Sequence, residues 1–98
     1  MGDTQTKLRV AHIREQNVDL IIVPLDPSFG KQSPAQQQSG IESLRMSAHL
    51  AGLAGDVIPV WDQGGGRMAF IAPKPYHPYF QSINLDFVFA NLNQELYV

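Results

Sequence analysis

Two short polar clusters are the places where this chain could do chemistry: Asp26, Ser28, Lys31 and Ser33 in one segment, and Asp62 with Arg67 in another. Lys31 and Arg67 offer positive charge, and a helix starting at Ser33 would present unpaired N–H groups with a partial positive charge. Together they suit an anion. The competing explanation needs no ligand, because aspartates form turns, a serine caps a helix and an arginine on a hairpin is simply solvated.

Sharper motifs fail on their spacing. Gly30-Lys31 lacks the glycine five positions earlier, where Leu25 stands, and is followed by Gln32, so the phosphate-loop pattern G-x-x-x-x-G-K-[ST] is not met. Gly64-Gly65-Gly66 joins two apolar runs instead of opening a helix, which makes it a hairpin turn and not a dinucleotide fingerprint. His12, His49 and His77 share no ligand spacing, and there is no G-x-S-x-G elbow, so neither a metal site nor serine-type catalysis is expected. No cofactor is implied. Pro75-Tyr76-His77-Pro78 satisfies P-x-x-P, although such a segment more often lays its aromatic rings across a core.

Composition narrows the classes further. With 98 residues and no cysteine, the chain reads as one domain, 1–98, without disulfides or thiolate metal sites, and residues 1–5 are expected to fray. A formal charge of −2 gives no basic excess to drive nucleic-acid binding. No apolar run approaches the ~20 residues that span a bilayer, and the first residues lack a signal-peptide core, so a cytoplasmic protein is expected. Only 16% of residues are charged, which weakens the barrier to self-association.

The elements that must position the polar clusters follow from periodicity and punctuation. Residues 6–16 favour a helix that Asn17 would cap in a left-handed conformation, with strand alternation at Leu8 and Val10 as the rival reading. Leu20-Ile21-Ile22-Val23 is continuous and β-branched, so 19–25 reads as a strand covered on both faces. Ser33, Pro34 and Gln36 predict a capping box and a helix to about residue 51, closed by Gly52, with Gly40 weakening its first half by roughly 1 kcal/mol. The short connection to 57–61 predicts a second strand parallel to the first, and the glycine turn sends 67–72 back antiparallel.

Pro24 and Pro59 each remove a ladder donor, whereas 67–72 contains no proline, which predicts 67–72 as the central strand. Residues 73–81 should be stiff and extended, and Ser82 should cap a helix over 83–96. The expected fold is therefore α/β with α+β-like character: a three-layer α/β/α domain around a mixed three-stranded sheet. Its element order is α-β-α-β-β-α and its strand order 1-3-2, with a central 57–61, which would need a bulge at Pro59, as the rival order.

This arrangement places Asp26, Ser28, Lys31, Ser33, Asp62 and Arg67 at one end of the sheet, where open α/β layers bind ligands. It also gives the last helix two apolar stripes, of which one sheet can bury only one. The second stripe, Ile83, Phe87 and Ala90 with Tyr97, predicts a partner surface. The expected role is a small non-catalytic interaction or accessory protein that self-associates as a homodimer. The alternative is an anion or small-ligand binding domain, or an enzyme, using the edge formed by the 26–33 loop and the 62–67 hairpin.

Overall fold

A computed structural model of the protein describes residues 7–97. Its centre is a five-stranded mixed sheet ordered β4-β3-β2-β1-β5, where β1 is Lys7–Glu15, β2 Val18–Pro24, β3 Asp56–Asp62, β4 Met68–Phe70 and β5 Gln94–Tyr97. The α+β character stands, but three strands become five. The fraying expected for residues 1–5 lies outside the described residues.

The expected first helix is a strand. Leu8 and Val10 face one side of the sheet while Ala11 and Ile13 face the other, the period-two alternation of β structure. Gln16 (φ 50°) and Asn17 (φ 68°) close β1 on to β2 in a two-residue turn, with Glu15 directly opposite Val18. Two consecutive positive φ values suit the right-handed twist of a hairpin. Asn17 is thus left-handed as its type suggests, but as a hairpin residue and not as a helix cap.

β2 and β3 run parallel, Leu20 opposite Asp56 through Pro24 opposite Val60, and the hairpin from β3 to β4 is antiparallel. The expected order 1-3-2 is overturned, since the proline-free segment supplies only the three-residue edge strand β4. Both prolines fit because of where their missing donors point. Val60 turns its carbonyl to β2, accepting from Leu25 N at 2.8 Å, so Pro59 faces β4 and accepts from Ile71 N at 3.2 Å. The absent Pro59 N–H would point at residue 71, just past the end of β4. Pro24 faces β1 beyond the last β1–β2 pair, Ala11 with Ile22. Neither proline leaves a gap inside a ladder.

Helix α1, Pro34–Leu50, crosses from β2 to β3 and covers one face. Its start is the capping box read from the sequence: Gln36 N donates to Ser33 Oγ at 3.1 Å and Ser33 N donates to Gln36 Oε1 at 3.0 Å. Ile21, Val23, Val57, Leu44 and Ala48 are buried beneath it. On the opposite face, Leu20, Ile22, Ile58 and Val60 pack with Phe80 and Val88 from two short helices, α2 (His77–Ser82) and α3 (Leu85–Ala90).

The expected extended segment 73–81 is instead a 3₁₀ turn, Lys74–Tyr76, running into α2, so Pro75 and Pro78 lie in helical turns and not in an extended ligand-like run. The expected helix over 83–96 ends at Ala90. Asn91 N donates to Val88 O at 3.0 Å and Asn91 Nδ2 to Phe87 O at 2.7 Å, and the chain then returns as β5. Leu96 is consequently buried under α1, on the far side of the sheet from Val88, and the two-striped helix does not exist.

β1 divides its pairing between two neighbours. Ala11 to Glu15 pair with β2, and Lys7 to Val10 pair with β5. Asn93 extends the second ladder with its side chain, accepting from His12 N at 2.8 Å through Oδ1 and donating to His12 O at 2.9 Å through Nδ2. The amide thus acts as one more strand residue. Asn93→Ala should lower stability by about 1–2 kcal/mol and speed exchange of the His12 amide, measured by urea unfolding and hydrogen exchange. Unchanged protection at His12 would contradict this role.

Tyr76 ties the 3₁₀ turn to the start of β3 by donating from its hydroxyl to Asp56 Oδ2 at 2.7 Å. That bond, with lesser contributions from desolvation and the Asp56 charge, raises the Tyr76 hydroxyl above its ordinary value of 10.0. The interaction is present below the unfolded value and lost as pH rises through the folded one. The stability advantage of the wild type over Tyr76→Phe should therefore shrink above pH 10.0. Unfolding curves at rising pH check this, and a constant difference would exclude the proposed bond.

Candidate functional site

The carboxyl ends of the parallel pair β2 and β3 open into two connections that meet in space. After β2, Asp26 caps a 3₁₀ turn, Pro27–Lys31, by accepting from Ser28 N at 2.9 Å through Oδ1. The hydrogen bonds from Ser28 hold the Asp26 carboxyl below its ordinary value. After β3, Asp62 Oδ1 accepts from Gly64 N at 2.7 Å, and Gly64, Gly65 and Gly66 all take positive φ, so the turn is one for which glycine is suited.

Between these connections lies a cleft of about 510 Å³ walled by Pro27, Gly30, Lys31, Trp61, Asp62, Gln63 and Gly64. Its floor is Trp61, the last apolar residue of β3, which packs edge-on against Phe29 with ring centroids 5.1 Å apart and with Ile41 of α1 beneath. The turn supplies Phe29 to that small cluster and leaves Gly30 over the indole. A Cβ on Gly30 would lie 2.3 Å from Trp61 Nε1, so only glycine lets the loop approach so closely.

Trp61 is nine-tenths buried, with 9% of its surface exposed. Among the described residues its Nε1–H has no acceptor, yet no buried side-chain nitrogen or oxygen is left unpaired. Trp61 lines the cleft, with Gly30 lying against its indole nitrogen. Lys31 is exposed and makes no ion pair among the described residues. Asp62 keeps its second carboxylate oxygen free of any described bond. The cleft is thus lined by a lysine, an aspartate and an indole.

No protein family model matches this chain, and neither a curated protein nor a solved structure does. The chemistry of the cleft must therefore speak through its own residues.

Of the six residues that the sequence places at this edge, the cleft gathers Lys31 and Asp62. Asp26 and Ser28 build the 3₁₀ turn that carries Lys31. Ser33 caps α1 with its hydroxyl already committed to Gln36, and Arg67 stands exposed on the hairpin outside the cleft lining. Sequence reasoning misses Trp61 and Gly30, whose relation is a tertiary contact. The one available signal is a lone tryptophan ending a strand at the ligand edge of a parallel pair.

Elsewhere the candidate residues scatter. His12 Nε2 lies 3.0 Å from Ala54 O, His77 Nε2 lies 2.8 Å from Ala72 O, and His49 is exposed on α1. Among the described residues, no three His, Cys, Asp or Glu side chains gather to hold a metal ion. The interface candidates also separate: Ile83 is half-buried, Phe87 and Ala90 lie on α3, and Tyr97 is exposed on β5. A second groove of about 570 Å³ runs between the β1–β2 hairpin and α2, with Tyr76 and Tyr79 in its wall. Desolvation, with the Glu15 charge adding, raises the Tyr79 hydroxyl.

Gly30→Ala tests the close approach at the floor of the first cleft. The methyl should displace the indole, lower stability by about 1–3 kcal/mol and shift the emission of the single tryptophan. Unaltered emission with an unaltered unfolding midpoint would show that Gly30 and Trp61 do not touch.

Proposed function

We propose that this chain is a small-ligand binding domain whose cleft takes a compact polar molecule bearing an acid group together with a hydroxyl or amine. The observation that carries this reading is the Trp61 indole: a nine-tenths buried residue that lines the cleft and whose N–H has no acceptor among the described residues, beside a lysine with no ion-pair partner among them. Lys31 would hold the acid group, Trp61 Nε1–H would donate to a second ligand oxygen, and the free oxygen of Asp62 would accept from the hydroxyl or amine. One cation and one carboxylate leave the wall near neutral, which favours a ligand of mixed polarity over a bare polyanion. The position at the carboxyl ends of parallel strands supports the same reading, since open α/β sheets place ligands there. The role is binding, without catalysis.

A second reading, self-association as a homodimer of a cytoplasmic accessory protein, no longer has the two-striped helix behind it. Large exposed side chains favour it instead, Met46 at 67% and Leu50 at 81%. Among the described residues no helix is long and apolar enough to cross a membrane.

Titrating the full chain with inorganic phosphate, nucleotides, small hydroxy acids and amino acids, while following tryptophan emission and backbone amide shifts, tests the first reading. Shifts should cluster at residues 27–31 and 61–64. Lys31→Ala and Asp62→Asn should each weaken binding by about tenfold or more. Shifts that avoid this cleft across all four classes would overturn the proposal. Sedimentation from micromolar to millimolar concentration tests the second, which a monomer throughout would defeat.

A further inference from the structure

α1 carries more apolar surface than its seat on the sheet uses. Leu44 and Ala48 are buried, whereas Met46 and Leu50 follow each by two residues, about 200° further round the helix, and so point away from the sheet. On the same outward line, nearer the amino terminus, stand the exposed Ser39 and Ser43. The stripe reads small, small, large, large.

We propose that this stripe is a homodimer interface in which α1 packs antiparallel against α1 of a second copy. The proposal rests on the self-association reading above and names its surface. The argument is one of position. The midpoint between Ser43 and Met46 coincides with the midpoint between Ser39 and Leu50, and both fall between Leu44 and Arg45. A single two-fold axis at that level sets Met46 of each copy over Ser43 of the other, and Leu50 over Ser39. Large side chains then meet small ones along the whole contact, as ridges meet grooves, and one patch serves both copies.

The polar flank agrees with size. Glu42 and His49 are seven residues apart, hence about 20° apart around the helix and on the same flank. Their midpoint lies within one residue of the same axis, so in an antiparallel pair Glu42 of one copy sits beside His49 of the other. Arg45, further round toward the sheet, stays paired with Glu42 in its own copy. Unlike groups oppose one another across the stripe and no carboxylate faces a carboxylate. The other large exposed apolar residues, Phe87, Phe89 and Tyr97, lie on α3 and β5.

The test uses the full chain in sedimentation equilibrium, with circular dichroism confirming that each variant folds. The wild type should dimerise, and Leu50→Glu should raise the dimer dissociation constant by about a hundredfold or more, because the side chain is buried twice per dimer. Tyr97→Glu should leave that constant within about twofold. Because the chain has no cysteine, Ser43→Cys provides a positive signal. Its two copies lie about 4.5 Å apart along the helix axis and should form a disulfide-linked dimer on oxidation, whereas the Ser39→Cys copies, about 16.5 Å apart along it, should not. A dimer that ignores Leu50→Glu but dissociates with Tyr97→Glu overturns the α1 interface while leaving self-association intact. A wild type that stays monomeric removes both.

Discussion

Four consecutive apolar residues, Leu20 to Val23, set the terms for everything around them. Their side chains alternate between the faces of the sheet, so Leu20 and Ile22 need cover on one side and Ile21 and Val23 on the other. α1 and the pair α2–α3 meet that demand from opposite sides. Burying a leucine, valine or isoleucine side chain contributes about 1.5–3 kcal/mol, so leaving either face open would forfeit most of what holds so small a domain together. The parallel partner β3 repeats the requirement with Val57, Ile58 and Val60, and the connection between the two strands must be long enough to cross a face. α1 is that connection: it returns the chain to the start of β3, so the carboxyl ends of β2 and β3, which carry the 3₁₀ turn and the glycine hairpin, lie side by side. The cleft follows from the crossover.

How much of this the sequence disclosed depended on whether the deciding interaction was local. The capping box at Ser33, the close of α1 at Gly52, the parallel relation of 19–25 and 57–61 and the glycine hairpin are all written in neighbouring residues, and the structure holds them. The helix expected over 6–16 fails because β1 is fixed by partners rather than by propensity. Its residues accept either conformation, and the positive φ at Gln16 and Asn17 appears only once β2 folds back. The helix expected over 83–96 fails at Asn91, whose side chain caps α3, and at Asn93, whose amide completes a ladder with His12. An apolar wheel drawn through both asparagines joins Val88 and Leu96, which in fact lie on opposite faces.

Proline placement does not fix the strand order here, because β3 is internal to the sheet although it carries Pro59. A proline excludes a ladder bond only on the side to which its nitrogen points. Both Pro24 and Pro59 turn that side toward a neighbour whose pairing has already ended. The cleft was half legible for a related reason: Lys31 and Asp62 could be placed from the ends of strands, but the fit of Gly30 over Trp61 requires knowing that a turn residue and a strand residue thirty-one positions apart come together.

The division of β1 between two partners has a consequence for how the chain comes together. One half of that strand finds its neighbour immediately across a two-residue turn. The other half must wait for a segment 81 residues further along the chain, the separation of His12 from Asn93. During synthesis the early half-ladder is therefore satisfied within moments of emerging, while the Lys7–Val10 edge stays open, a template for any passing extended segment, until β5 arrives.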